Sequence, residues 1–264
     1  MLLSVLGCGV LPALAERLKF GGTGSGTVLM KRLADEYCST HPGEHVEVVP
    51  YSLGSGGGVR ALSAGKIDLA ILGRSLKDDE RLDGFRAVAW ARTPLVLATS
   101  GGEVADGLNV PLLVDILLGR RTTWDDGSRI RLVMRIAQET DTLILANLSP
   151  DLKRALDAYL SSPGAVVADT DVDALDLLAR TPGSLGTTTL GLISLRKSTV
   201  VALPFADAEP SLRALEEGRY TLAKELHLVY PENPSPQLSR FIEWLFSASV
   251  AERLRELAHQ PLFP

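Results

Sequence analysis

Two glycine-rich runs carry the clearest chemical potential in this sequence. Residues 21–27 read GGTGSGT and residues 54–58 read GSGGG. Each follows a strand-like stretch and precedes a helix-like one. A helix start presents unpaired backbone N–H groups and about half a positive charge. Glycines let an anion approach the backbone, and Ser or Thr hydroxyls add donors. Thr23, Gly24, Ser25 and Gly26 in the first run, with Ser55 and Gly56 in the second, would form an oxyanion cup if the two runs face each other. The plainer alternative is that Ser25, Thr27 and Ser55 are only helix N-caps, with the glycines serving tight turns. Nucleotide motifs fit less well. A Walker A loop needs Lys before Ser/Thr, whereas Gly26 precedes Thr27 here, and Gly22, Gly24 and Gly26 miss the G-x-G-x-x-G spacing.

Two arginines stand where an anion's charge could be met. Arg74 follows the apolar stretch 67–72, and Arg135 ends the alternating stretch 129–135 (RIRLVMR). Guanidinium binds oxyanions through paired, charge-assisted hydrogen bonds, and α/β sheets bind ligands at strand ends. A surface salt bridge is the alternative fate for either. The four histidines, His41, His45, His227 and His259, have no catalytic or metal-ligand spacing, and the two cysteines, Cys8 and Cys38, form no metal motif. No cofactor and no catalytic residues are therefore expected.

These groups need a scaffold of alternating strands and helices. Strands are expected at 17–22, 45–51, 67–72, 129–135, 199–205 and 224–230, with one or two more within the apolar run 86–99 around Pro94. Helices are expected at 27–38, 57–64, 110–119, 150–160, 171–180 and 236–258, the last as one helix or a pair. Such alternation indicates an α/β architecture. No linker divides the chain, so two interleaved lobes are expected rather than two tandem domains.

With 264 residues, 45% hydrophobic and 22% charged, the chain can bury one large core or two modest ones. Its net charge of −5 offers no basic field for nucleic acid. Residues 1–15 (MLLSVLGCGVLPALA) carry no charge and end in a small-x-small pattern, which reads as a secretory signal peptide lacking its usual positive start. The alternative is a buried first segment. Cys8 after Val5, Leu6 and Gly7 weakly resembles a lipoprotein box, so a lipid anchor there stays open.

Taken together, these residues resemble the phosphate-binding protein family of ABC importers. The resemblance rests on order and spacing: the 21–27 loop before a helix ending Asp35, Glu36, Tyr37; the 51–59 run YSLGSGGGV; GKIDLA at 65–70 before Arg74; Leu118, Gly119 and Arg120 through Trp124, Asp125 and Asp126; TPGSLG at 181–186; and Pro210, Ser211 with Gly218, Arg219, Tyr220. It implies a two-lobed periplasmic binding protein fold of type II with a ligand cleft between lobes. Lobe one would comprise about 17–95 and 220–264, and lobe two about 96–219, with crossings near 92–99 and 218–224.

The resemblance further implies a monomeric, periplasmic solute-binding protein. It would hand phosphate or a similar oxyanion to a membrane permease by hinge closure and perform no reaction. Thr23, Gly24, Ser25, Gly26, Ser55, Gly56 and Arg74 would hold the anion from one side, and Arg135, Thr140, Asp141 and Thr142 from the other. The family's Ser-Gly-Thr after the arginine is Thr140, Asp141, Thr142 here, and Gly73 precedes Arg74. A carboxylate in the cup would accept hydrogen phosphate's proton and reject sulfate; Asp141 is the candidate, with a helix-start role as its alternative. Another anion (molybdate, tungstate or an organic phosphate), a sensor docking on a receptor, and an enzyme acting on phosphorylated substrates are the rivals.

Overall fold

A computed structural model describes residues 17–81, 83–102, 104 and 107–263. The signal-peptide and Cys8 readings fall outside the described residues. The chain begins with β1 (Arg17–Gly22), α1 (Gly24–Thr40), β2 (His45–Val48), α2 (Gly54–Ser63) and β3 (Leu69–Leu72). A single 3-10 turn (Asp78–Glu80) leads into the long β4 (Phe85–Thr99). Next come α3 (Val110–Leu117), β5 (Arg131–Arg135), α4 (Thr140–Ala146), α5 (Pro150–Leu160) and β6 (Val167–Ala168). They are followed by α6 (Asp171–Arg180), β7 (Ser184–Thr189), α7 (Leu190–Arg196), β8 (Val201–Ala202) and α8 (Leu212–Glu216). The chain closes with β9 (Ala223–Pro231), α9 (Pro236–Leu245), α10 (Ala248–Glu256) and β10 (Gln260–Pro261).

The strands join in the order β2-β1-β3-β9-β4-β7-β5-β6, with β8 and β10 also on β4. The parallel pairs β1–β2 and β1–β3 make one flank, and β5–β7 and β5–β6 the other. Between them β4 and β9 run antiparallel, pairing from Phe85 with Pro231 to Pro94 with Ala223. From Leu95 onward β4 turns to β7 instead. One strand thus serves both flanks, which settles the run 86–99 as a single element. Pro94 fits because it lies at the edge of that ladder, opposite Ala223, where β9 begins.

Burial divides along the same line. Around β1 and β3, α1, α9 and α10 cover one face with Phe20, Leu29, Trp90 and Phe241, while α2 covers the other with Val59 and Leu62 against Leu72. Around β5 and β7, a separate core gathers Leu97, Leu113, Trp124, Leu156, Leu178 and Tyr220. Parallel strands buried on both faces explain the apolar runs LAIL and LVM.

Several boundaries differ from expectation. Helices α1 and α2 begin three residues early, taking the glycine runs into their first turns. Strands β6, β7 and β10 and helices α4, α7 and α8 lie outside the expected elements. Thr187, Thr188 and Thr189 are β-branched, and in β7 they are wholly buried against β4, so packing outweighs the flanking glycines. The region 236–258 is two helices broken at Phe246 and Ser247.

Candidate functional site

Helix capping singles out one region. Seven α-helices start with their own Asn, Ser or Thr accepting from a backbone N–H: Asn109 (α3), Ser149 (α5), Thr170 (α6), Thr189 (α7), Ser211 (α8), Ser235 (α9) and Ser247 (α10). Helices α1, α2 and α4 have no such side-chain cap. Their starts come together. A Cβ placed on Gly73 would stand 3.5 Å from Thr23 Oγ1 beside α1 and 3.6 Å from Thr140 Oγ1 on α4. The backbone N–H of Gly73 donates to Ser55 Oγ on α2 at 3.0 Å. Uncapped starts leave N–H donors and positive helix ends to be met by something else.

At α1 that partner is a residue from far along the chain. Asp171, first residue of α6, accepts through Oδ2 from the Ser25 N–H at 2.9 Å and from Thr23 Oγ1 at 3.0 Å. Its Oδ1 receives Arg135 Nη1 at 3.1 Å and Lys224 Nζ at 2.6 Å. Lys224 also donates to Asp141 Oδ1 at 2.7 Å. All these side chains are buried. Burial raises the Asp171 pKa, but Lys224 and Arg135 together outweigh it and hold the carboxyl below its usual range. Burial likewise works against the Lys224 ammonium, yet Asp141 and Asp171 hold its pKa above the ordinary lysine value. Two cations and two carboxylates therefore meet in one buried cluster, and Glu139 adds a third carboxylate at Arg135. Gly73 makes room for it, since a Cβ there would meet Lys224 Cε at 2.8 Å.

Over α2 the surface is open. A cavity of about 340 Å³ is lined by Ser55, Gly56, Arg60, Arg74, Lys77 and Glu80 on one side and by Gln138, Glu139 and Thr140 on the other. Arg74 grips Glu80 through both guanidinium nitrogens, at 2.6 and 2.7 Å, and this pairing lowers the Glu80 pKa. Glu139 reaches back to Arg135 Nη2 at 3.2 Å and stands 3.9 Å from a Cβ built on Gly54. Burial raises its pKa, against the attraction of Arg135. Larger hollows exist, including one of about 460 Å³ beside β5 and Tyr159. The smaller cavity is the candidate because uncapped helix starts and three cations meet there, which size alone does not supply.

The expected site residues thus fall into two groups. Ser55, Gly56, Arg74 and Thr140 line the open cavity. Thr23, Gly24, Ser25, Gly26, Arg135, Asp141 and Thr142 lie beneath it, buried. Gly26 packs on Ile71, where a Cβ would come within 2.5 Å, and Thr142 Oγ1 donates to the Arg135 carbonyl at 3.1 Å. The N-cap alternative does not describe Ser25, Thr27 or Ser55: Thr27 Oγ1 donates to the Gly24 carbonyl at 2.9 Å, and no side chain caps α1 or α2. Of the two carboxylates in the stretch 138–142, Glu139 reaches the cavity, whereas Asp141 is held by Lys224. Asp171, Lys224 and Glu139 went unseen in the sequence. Lys224 had a signal, because it alternates with Leu226 and Leu228 and so shares their buried face.

A family model described as the PBP superfamily domain matches residues 12–249. The chain belongs to the PBP superfamily. No curated protein matches it significantly by sequence. Among solved structures it is similar to a provisionally assigned phosphate ABC transporter substrate-binding protein with bound phosphate from Clostridium perfringens. That pair has a TM-score of 0.77 at 18% identity, covering 94% of this chain and 100% of that one. An ABC-type phosphate transport receptor from Vibrio cholerae gives 0.66 at 21%, covering 92% and 99%. PstS from Borrelia burgdorferi gives 0.52 at 17%, covering 93% and 99%. Likeness at these identities establishes the fold, an α/β PBP with two lobes and a cleft. Among the described residues no helix is long and apolar enough to cross a membrane, and no cluster of His, Cys, Asp and Glu could hold a metal.

Proposed function

We propose that this PBP is the solute-binding component of an ABC importer, capturing phosphate or a similar oxyanion in the cleft cavity over α2. The observation that carries the reading is the meeting of the α2 and α4 starts, neither with a side-chain cap, with Arg60, Arg74 and Lys77 at one cavity. Arg60, Arg74 and Lys77 against Glu80 and Glu139 leave the cavity with one surplus positive charge. In this reading the lobes are the two halves that share β4, and the anion sits between the α2 start and the loop before α4. Arg74 would turn part of its fork from Glu80 to the anion, and Thr140 would add a hydroxyl. Ligand bridging both sides favours the closed lobes, which a membrane permease would then recognise. Membership of the superfamily and the phosphate receptors among its structural likenesses support the choice of anion. No bond is made or broken, so the protein is read as a carrier outside the membrane, not an enzyme.

Calorimetric titration of residues 16–264, refolded from denaturant to strip bound solute, tests this. One-to-one binding of phosphate, with sulfate and molybdate as controls, is the expected result. Heat with none of the three removes the oxyanion assignment and leaves the fold. A second reading, a solute other than simple phosphate, is favoured by one observation: the cations beneath the cavity already hold carboxylates of the chain itself.

A further inference from the structure

We infer that Asp171 is a specificity-determining residue, an internal anion that occupies the α1 oxyanion cup and keeps free oxyanions out of it. The inference rests on the oxyanion reading of the cleft but concerns a different part of it. Asp171 is the sole side chain meeting the uncapped α1 start among the described bonds, and it receives four donors: the Ser25 N–H, Thr23 Oγ1, Arg135 Nη1 and Lys224 Nζ. That donor set, made of one helix-start amide, one hydroxyl, one guanidinium and one ammonium, is what a tetrahedral oxyanion would use. Asp171 is only 5% exposed, and it comes from α6, which packs on β7 in the other flank of the sheet. It therefore does two things that a bound ligand does in a cleft. It neutralises the positive α1 start, and it ties α6 to α1 between the two flanks of the sheet.

The cup still has donor capacity to spare. Ser25 Oγ and Arg135 Nε are buried and have no hydrogen-bond partner. A carboxylate has two oxygens, whereas phosphate or sulfate has four, so removing the carboxylate would expose a site with more donors than Asp171 can use. Lys224 fixes the size of that site, because Gly73 yields to its chain and Asp141 holds its other side. Taking Asp171 away leaves Arg135 and Lys224 with Asp141 and Glu139, and frees the Ser25 N–H, Thr23 Oγ1, Arg135 Nη1 and Lys224 Nζ for another anion. In the wild type, by contrast, an oxyanion entering the cup would meet a buried carboxylate and displace it from four donors. The oxyanion is thereby directed to the α2 cavity.

The test compares wild type with Asp171→Ala and Asp171→Asn, titrated calorimetrically with phosphate and with sulfate at neutral pH. Asp171→Ala is expected to gain an oxyanion site absent from the wild type. The gain reads as a second equivalent where the wild type binds one, or as a first where it binds none, with sulfate accepted at least tenfold better than by the wild type. Failure of the wild type to bind phosphate would thus sink the α2 assignment while leaving this inference testable in the variant. Asp171→Asn keeps the shape and loses the charge, so it covers the case in which the alanine variant does not fold. It is expected to weaken the exclusion of sulfate in the same direction. A folded variant of either kind with unchanged stoichiometry and unchanged sulfate affinity overturns the inference.

Discussion

The starts of α1 and α2 are alike in sequence and opposite in state. Both are glycine-rich, both follow a strand, and neither has a capping side chain. The α1 start is sealed by Asp171, whose charge is matched by Arg135 and Lys224. The α2 start faces a cavity, with Ser55 tied only to Gly73 and Arg74 tied to Glu80. The lesson is that a helix N-terminus attracts negative charge without specifying its source. What decides between ligand and protein is whether another segment can bring a carboxylate to the spot.

Lys224 separates the two regions most strongly. Lys224→Met should destabilise the fold by about 3–5 kcal/mol, since Asp141 loses its cation and Asp171 keeps only Arg135. Chemical denaturation reads this directly, and a change below 1 kcal/mol would break the picture of a coupled buried cluster. Arg74→Ala should cost less stability than Lys224→Met, since Glu80 and Arg74 keep some exposure, and weaken phosphate binding roughly 10- to 100-fold, the worth of about 1.5–3 kcal/mol in charge-assisted bonds. Equal affinity in that variant would remove the α2 cavity as the anion site.

Thr142→Val sharpens the contrast on a smaller scale. Its hydroxyl serves the Arg135 carbonyl inside the sealed region, so about 1 kcal/mol of stability should be lost while phosphate affinity stays the same. Acidification gives the smallest effect. The Glu139 pKa is raised by burial, so its carboxylate takes up a proton as pH falls toward the ordinary carboxylate range and before an unperturbed glutamate would. Its neutral form is the one the fold favours, so this protonation does not weaken the fold. Sulfate, which keeps its charge, should bind a few-fold more tightly at pH 5 than at pH 7 because the cavity then loses one repelling charge. Asp171 behaves the other way: its pKa is depressed, so its contribution persists above the ordinary carboxylate range and is lost only on stronger acidification. Sulfate affinity that falls with pH would contradict the placement of Glu139.

The sequence made the strand–helix alternation, the two anion-ready glycine runs and Arg135 legible, because each depends on local patterns. It did not reveal which donors were already satisfied. Asp171 looks like an ordinary first-turn acid after the Thr170 cap, and its meeting with Ser25, 146 positions away, follows from topology alone. Asp141 was legible as the sole carboxylate of the Thr140, Asp141, Thr142 stretch, but its partner lies 83 positions on. Strand β7 stayed hidden because its threonines and glycines make a strand only when packed between β4 and β5. Helices α1 and α2 start earlier than their sequence suggests, at Gly24 and Gly54, for a related reason. Glycines read as loop, yet here they open the helices so that backbones can approach closely, as at Gly26 on Ile71.

The central claim is that an oxyanion binds over α2 while Asp171 holds the α1 start, and locating the anion tests it most directly. Crystals of the wild type grown with arsenate, a phosphate analogue with usable anomalous scattering, would mark the position without ambiguity. The account predicts one arsenic peak beside Ser55 and Arg74, with Asp171 still bonded to Ser25 and Thr23. A peak between Thr23 and Arg135 with the Asp171 side chain displaced, or no ordered arsenate in the cleft, would contradict it.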